Sequence, residues 1–221
     1  MGVRTHAIAT FETIPRASRA LEKALCDAET FDWLVLTSST SVRILAARRD
    51  WNVLHTRIPR VAVVGATTAK VAREAGMKVG FVPSDADGLA LAKGLLDAYS
   101  KKVLLLRAKI GSDQVVETLT ERGAHVTDIA LYDTKILKGR DARLEKILAD
   151  KRAKSIMFAS PSAVRGFSGR ISKSALKYSQ TLPVLAIGLA TAETARKSGF
   201  KNVAIPRPFT LRKIVRTLHT L

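Results

Sequence analysis

Residues 61–83, VAVVGATTAKVAREAGMKVGFVP, combine an apolar run, a turn of small residues and a helix-like segment that stops at Gly76. The pattern returns in PVLAIGLATAETARKSGFKNVAIP, from Pro183 to Pro206, where Gly188 stands for Gly65, Thr191 for Thr68 and Gly199 for Gly76. A period of roughly 120 residues is far longer than that of a solenoid, so it indicates two similar domains.

A second repeated stretch supports the duplication: FDWLVLTSSTSVRIL at 31–45 matches AKSIMFASPSAVRGF at 153–167, with Ser38 facing Ser160. Five short apolar runs predict buried strands, at residues 33–36, 61–64, 103–106, 155–158 and 184–187. Predicted helices over about 67–75, 112–122 and 190–198 each stop at a glycine. Apolar strands that alternate with helices are typical of parallel sheets covered on both faces, so the predicted class is α/β.

Two extended stretches, residues 7–14 and 131–137, fit inside neither copy. We interpret them as the two passages of the chain between domains, paired with each other as a two-stranded linker. The first domain is then 15–130, and the second is 138–221 together with the N-terminal segment 1–6. Two such domains predict a ligand cleft between them.

The charge balance is strongly basic: 37 Lys and Arg against 19 Asp and Glu give +18 over 221 residues. Such a chain attracts nucleic acid, an anionic membrane or a polyanionic small molecule. Aromatic residues make up only 5%, and the basic residues are spread along the chain, which argues against a stacking platform for single strands. Charge alone leaves the partner open.

Several classes are disfavoured. No apolar run approaches the roughly 20 residues that cross a bilayer, and the N-terminus has no apolar core of a signal peptide. The single cysteine, Cys26, fits a reducing compartment, so we expect a cytoplasmic protein. The turn at 65–70 lacks the P-loop pattern, and the four histidines are scattered, so neither a nucleotide nor a metal is predicted.

Four turns of small and hydroxyl residues follow apolar runs and precede helices, at 37–41, 65–68, 160–162 and 188–191. In parallel α/β sheets such turns lie at the carboxyl ends of strands, where free N–H groups and the helix dipole bind anions. The alternative is that one hydroxyl residue of each turn, Ser41, Thr67, Ser162 or Thr191, only caps its helix. The predicted binding residues are Ser38, Ser39, Thr67, Thr68, Ser160, Ser162 and Thr191.

From about Ala7 to Leu218 the chain resembles the uroporphyrinogen-III synthase family. The resemblance rests on LVLTSSTSV, VVGATTAKVAREAG, IALYDT, IMFASPSAV and AIGLATAETARKSG, which occur in the family's order. It implies two α/β domains joined by a two-stranded ladder, with the site between them and no cofactor. The implied reaction closes hydroxymethylbilane, a linear tetrapyrrole with acetate and propionate side chains, into uroporphyrinogen III. Water is lost and the last pyrrole is inverted.

The resemblance also gives Tyr132 a role: its phenol hydrogen-bonds the departing hydroxyl and helps it leave as water. The alternative is a linker tyrosine that packs with its phenol in water. Arg107, at a strand end, is placed to pair bidentately with a substrate carboxylate, and Lys109 to assist it.

Two departures from the family pattern stand out. The chain starts at the glycine before the linker strand, so we expect the second domain to lack its first strand–helix unit. Ile110-Gly111-Ser112 has no basic residue after the glycine. Besides a monomeric cyclising synthase, two other functions stay open: a non-catalytic two-domain binder of tetrapyrrole or another polyanion, and a basic nucleic-acid-binding protein.

Overall fold

The structure, a computed structural model, describes residues 5–206. The chain divides into two compact units. One is Thr13–Thr134, and the other is formed by the chain on either side of it. Predictions that concern residues 1–4 and 207–221 lie outside the described residues.

The described residues form nine strands and ten α-helices. The strands are β1 (Phe11–Pro15), β2 (Trp33–Leu36), β3 (Arg60–Val63), β4 (Val79–Phe81), β5 (Lys102–Ala108), β6 (His125–Ile136), β7 (Ile156–Phe158), β8 (Val184–Ala186) and β9 (Val203–Ala204). The helices are α1 (Arg19–Cys26), α2 (Ser39–Ala46), α3 (Trp51–Arg57), α4 (Ala66–Glu74), α5 (Gly88–Gly94), α6 (Gln114–Glu121), α7 (Ala142–Ala149), α8 (Pro161–Ser168), α9 (Lys173–Ser179) and α10 (Leu189–Lys197). Two short 3-10 helices are Ala28–Thr30 and Leu96–Ala98.

The Thr13–Thr134 unit is built on a six-stranded sheet of order β1-β6-β5-β2-β3-β4. Strands β2 to β6 run parallel. Strand β1 runs antiparallel to β6, because Arg16 N donates to Leu131 O (2.9 Å) and Leu137 N donates to Thr10 O (3.1 Å). The predicted strand at 131–137 is therefore the second half of β6. The first half, HVTDIA, was not predicted because it is polar and contains no apolar run.

Both faces of this sheet are covered, as the apolar strands predict. Helices α1 to α4 pack on one face around Leu34, Leu36 and Leu106. Helices α5 and α6 pack on the other around Val35 and Leu105. Neighbouring residues of a strand point to opposite faces, so a run of four apolar residues supplies both cores at once. The predicted α/β class is confirmed.

The other unit has a three-stranded parallel sheet, β7-β8-β9, with α7 to α10. Its core gathers three phenylalanine rings, Phe158, Phe167 and Phe200, with centroids 5.4–6.1 Å apart. Helix α8 touches the backbone of the N-terminal segment, since a Cβ added at Gly166 would lie 2.2 Å from Thr10 O. Among residues 5–206, no helix is long and apolar enough to span a membrane.

The predicted helix stops are confirmed in both copies of the repeat. Gly76 has φ +84° after α4, and Gly199 has φ +88° after α10, the left-handed conformation that glycine adopts at little cost. Two short strands, β4 and β9, were not predicted. They lie at matching places in the two copies and have too few apolar residues to stand out.

Candidate functional site

The turn between β2 and α2 is organised by Ser38. Its backbone is extended, and its Oγ accepts a hydrogen bond from Ser41 N (3.2 Å), so Ser38 is the N-cap of α2. Ser41, which the capping alternative named for this turn, is instead fully buried, and its Oγ donates to Leu106 O (3.2 Å). Ser41 therefore does not cap α2, which begins at Ser39.

The side chain of Tyr132 contacts this turn. Its Oη lies 2.9 Å from Ser38 Oγ, and its ring is packed in the core on the α2 side of the sheet, with 8% of the residue exposed. The alternative of a linker tyrosine with its phenol in water does not describe this contact. The structure therefore joins two predicted site residues that are 94 positions apart in sequence.

The turn between β3 and α4 has no side-chain cap. Gly65 is its N-cap residue, with extended backbone, and no side chain in residues 5–206 bonds the first N–H groups of α4. Thr67 is exposed and Thr68 is buried. Thr67 therefore does not cap the helix, and the N–H groups at its start have no side-chain acceptor among residues 5–206.

The second unit repeats both turns. Ser160 caps α8 by accepting from Ala163 N (3.1 Å), as Ser38 caps α2. Gly188 begins α10 with no side-chain cap in the described part of the chain, as Gly65 begins α4, and Thr191 is as buried as Thr68.

Ser162 accepts a bond from Arg165 Nη2 (3.3 Å). Neither Ser162 nor Thr191, which the capping alternative named, is the N-cap of its helix, because the N-cap residues Ser160 and Gly188 lie two and three residues earlier.

A cation not picked out from the sequence lies at the first turn. Arg43 Nη1 donates to Ser39 Oγ (3.3 Å), and its side chain is exposed. The signal was available, because residues four apart on a helix lie on one face and Arg43 follows Ser39 by four.

Arg107 is already paired within the protein. Its Nε and Nη2 donate to the two carboxylate oxygens of Asp128 (2.9 and 2.7 Å), and Nη2 also donates to Asp113 Oδ1 (2.7 Å). Both carboxylates raise the pKa of Arg107, with the hydrogen bonds to Asp128 the largest cause, so the guanidinium stays charged. Binding of a substrate carboxylate by Arg107 stays a prediction, and it would require one of these bonds to be given up.

Lys109 follows directly on the end of β5. Its backbone N–H donates to Tyr132 O (2.8 Å), while its side chain is exposed. Its ammonium group has no partner among the residues that the structure describes. Lys109 thus places a free cation on the segment that is bonded to Tyr132. No group of three or more His, Cys, Asp or Glu in residues 5–206 is arranged to hold a metal ion.

The family model of uroporphyrinogen-III synthase HemD matches residues 1–216. The chain belongs to this family. A porphyrin biosynthesis protein HemD from Ruminiclostridium josui is 29% identical over 178 residues, which are 78% of this chain and 35% of the relative. The chloroplastic uroporphyrinogen-III synthase of Oryza sativa subsp. japonica is 29% identical over 186 residues, 80% of this chain and 59% of the relative. The chain thus spans less than two thirds of the length of these curated relatives.

A solved structure supports the fold. The crystal structure of uroporphyrinogen-III synthetase from Helicobacter pylori 26695 has a TM-score of 0.63 and 19% identity, covering 96% of this chain and 90% of that one. At this identity the likeness concerns the fold alone. The hydrogen bonds of Ser38, Tyr132 and Arg107 are therefore taken from this chain's own geometry.

In this member of the uroporphyrinogen-III synthase family, either hydroxyl of the Ser38–Tyr132 pair can be the donor of the hydrogen bond between them. Ser38 Oγ accepts from Ser41 N and lies 3.3 Å from Ser41 Oγ. If Tyr132 donates to Ser38, the Ser38 hydroxyl can point to Ser41. If Ser38 donates to Tyr132, the phenol proton is free for a ligand. Both arrangements keep the same heavy-atom positions, since a hydroxyl can donate one bond and accept two.

Proposed function

We propose that this chain is a uroporphyrinogen-III synthase that cyclises hydroxymethylbilane with loss of water and inversion of the last pyrrole. One observation carries the proposal: in a chain of this family, the Tyr132 phenol is bonded to Ser38 at the N-terminus of α2 (2.9 Å). A phenol fixed at a helix N-terminus is suited to donate a hydrogen bond to a departing hydroxyl group.

Substrate carboxylates bind, in this proposal, at the helix starts. The N-termini of α4 and α10 have no side-chain cap within residues 5–206, so their first N–H groups and helix dipoles favour an anion. Ser160 accepts at the start of α8 through Oγ, which leaves its hydroxyl proton free to donate to a carboxylate. Arg43 and Lys109 add exposed positive charge in the first unit.

In the chemical step, Ser38 donates to the Tyr132 oxygen, and the phenol proton is directed at the hydroxyl of the substrate. The C–O bond breaks as the phenol proton passes to the departing hydroxyl, which leaves as water, and the pyrrole N–H proton of the azafulvenium returns to the phenolate. The substituted α-carbon of the last pyrrole attacks the azafulvene carbon to give a spiro intermediate, and its bond to the neighbouring methylene carbon then breaks. The free α-carbon of the same pyrrole bonds to that methylene carbon and loses its proton, which closes the ring with the last pyrrole inverted. The protein's second contribution is to hold the tetrapyrrole folded for closure, which is an orientation effect.

The test is an isomer assay. Purified protein is mixed with fresh hydroxymethylbilane, the product is oxidised, and the porphyrin isomers are separated by chromatography. An excess of type III over the spontaneous type I isomer is expected. Tyr132→Phe should lower kcat by about 100-fold, at the low end of the range for a general acid. Tyr178→Phe is the matched control, because it removes a phenol whose only hydrogen bond within residues 5–206 is to Ala153 O (3.3 Å), and it should leave turnover within about twofold.

Type I product alone would reject the synthase. Binding of the oxidised or reduced porphyrin without turnover would then favour the two-domain binder, and binding to duplex DNA or RNA that survives about 0.15 M salt would favour the nucleic-acid protein.

We also infer a cytoplasmic monomer that acts on a small molecule and not on nucleic acid. Sedimentation velocity should give a mass near 24.0 kDa, and a mass of twice that value would refute the monomer.

A further inference from the structure

The direction of the Tyr132 side chain depends on a one-residue irregularity in the sheet. Along the β5–β6 pair, Arg107 lies opposite Ala130, but the next residue, Ala108, lies opposite Tyr132. Leu131 is therefore an extra residue, a β-bulge, which is uncommon between parallel strands and frequent beside active sites.

The bulge changes the face that Tyr132 occupies. Consecutive residues of a regular strand point to opposite faces of the sheet. Here Leu131 and Tyr132 are consecutive, yet both pack in the core on the α2 side, together with Ile129. In a regular register Ala108 would lie opposite Leu131, and Tyr132 would point to the face of α5 and α6, away from Ser38.

Main-chain bonds hold the bulge from both sides. Leu131 O accepts from Arg16 N of the chain leaving β1 (2.9 Å), and Tyr132 O accepts from Lys109 N (2.8 Å). The position of Tyr132 therefore depends on where the end of β5 and the loop after it are fixed. Arg16 is itself tied to β6 by an ion pair with Asp133 (2.6 Å).

Arg107 fixes that end of β5. It is the last residue before the register shifts, it is 8% exposed, and its three hydrogen bonds join β5 to Asp128 of β6 and to Asp113 at the start of α6. Lysine could not reproduce the arrangement, because the bidentate pair needs the planar guanidinium. Arg107 lies on the face opposite Tyr132, so it acts on the phenol only through the backbone.

Gly111 closes the loop over the guanidinium. A Cβ at this position would lie 2.7 Å from Arg107 Nη1 and 3.3 Å from Ala108 O. The guanidinium cannot swing away freely, because its other nitrogens are bonded to two carboxylates. Even an alanine at Gly111 would therefore displace Arg107 or the end of β5.

We propose that Arg107 is a positioning residue for Tyr132: by locking the end of β5 against Asp128, Asp113 and Gly111, it maintains the Leu131 bulge that places the phenol on Ser38. The kinetic part of this proposal rests on the synthase activity proposed above. The placement of the phenol does not, and it is tested separately.

The kinetic test compares Arg107→Lys with Arg107→Lys/Tyr132→Phe in the full chain. Arg107→Lys should lower kcat about tenfold with KM within about twofold, because the phenol is misplaced by a fraction of an ångström to an ångström. In the Tyr132→Phe background the same change should have almost no further effect, as expected for residues that act as one unit. Full additivity of the two losses, or a rise in KM with kcat kept, would overturn positioning. The second result would point instead to substrate binding by Arg107.

The placement test uses protein labelled with ¹³C at the tyrosine Cζ, with the Tyr132 signal assigned by its loss in Tyr132→Phe. Arg107→Lys should shift or broaden this signal in the folded protein. Ser38→Ala, which removes the hydrogen-bond partner of the phenol, should also shift it. Gly111→Ala, which presses on the guanidinium without removing it, should also shift or broaden the Tyr132 signal. This variant replaces Arg107→Lys if Arg107→Lys does not fold. An unmoved Tyr132 signal in a folded variant would overturn the proposal, whatever the isomer assay gives.

The matched control is Arg170→Lys in the other unit. Arg170 is also a largely buried arginine, with 16% of its side chain exposed, and it pairs with Asp141 (2.9 Å). Loss of this pair should destabilise the protein but leave both kcat and the Tyr132 signal as in the wild type. An equal effect of Arg170→Lys on Tyr132 would mean that general destabilisation, and not local positioning, explains the result at Arg107.

Discussion

Ser38 has two separable tasks. Its Oγ caps α2 through Ser41 N (3.2 Å), and the same atom contacts the Tyr132 phenol (2.9 Å). The first task is structural and is shared with many serines at helix N-termini. The second is specific to this position: in the function proposed above, it decides whether the phenol proton is directed at Ser38 or at the substrate.

Ser38→Ala should therefore lose more activity than its loss of stability explains. We expect about 1 kcal/mol of destabilisation from the missing cap, together with a fall in kcat of about tenfold. Ser18→Ala is the matched control, since Ser18 caps α1 through Leu21 N (3.1 Å) and has no other side-chain bond in the described residues. Urea unfolding and the isomer assay measure the two effects. Equal kcat losses in both variants would show that the Tyr132 contact has no role in turnover.

Secondary-structure elements were predictable where one physical rule dominates. Continuous apolar runs marked the strands β2, β3, β5, β7 and β8, and glycine marked the ends of α4, α6 and α10. The Leu131 bulge was not predictable, because a slip in strand register leaves the sequence pattern of β6 unchanged. The capping residue of each turn could not be identified for a related reason: a hydroxyl residue before an apolar helix can cap from several positions, and only backbone geometry decides between them.

The site was predictable to a similar extent. Ser38 and Tyr132 were both chosen and do meet, but no sequence pattern indicated the hydrogen bond between them. Arg107 was chosen for its charge and its place at a strand end. Its acidic partners could not be inferred, because Asp128 lies on a neighbouring strand whose register was unknown.

Helix α7 should give the second unit a measurable acid dependence. Asp141 caps it by accepting from Leu144 N (2.9 Å) and also pairs with Arg170, and both interactions lower the pKa of Asp141, the backbone bond most. The added stability is thus complete above the ordinary Asp pKa of about 3.9 and is lost as pH falls through the lower folded-state value. Asp141→Asn keeps a good cap without the charge. Its stability deficit in urea unfolding should be constant at about pH 5–7 and shrink below about pH 4. A deficit independent of pH would contradict this.

The packing of α8 on the N-terminal segment should tolerate no side chain at Gly166. An alanine Cβ there would lie 2.2 Å from Thr10 O, which is backbone and cannot rotate away. We expect Gly166→Ala to lower the free energy of unfolding by about 3 kcal/mol, the upper part of the range for overpacking. Gly169→Ala, whose nearest neighbour would be 3.8 Å away, should change it by less than about 0.5 kcal/mol. Equal urea midpoints for the two variants would refute the close contact.

Each unit of the chain has its own apolar core. Two core clusters lie wholly within Thr13–Thr134, and the third is made only of residues from the other unit. Neither unit therefore relies on the other to bury its strands. This separation fits the duplicated sequence.

The charge of the chain should act on substrate capture and not on the chemical step. A net charge of +18 attracts a polycarboxylate over distances that salt screens, with a Debye length of about 10 Å at 0.1 M. KM for hydroxymethylbilane should rise about tenfold between roughly 20 and 300 mM NaCl while kcat stays within about twofold. Tyr132→Phe should show the same salt dependence of KM at its lower kcat, because the substitution removes a hydroxyl group and leaves the basic residues of the chain unchanged. A KM that is independent of salt would mean that local donors at the helix starts, and not the overall field, govern binding of the substrate.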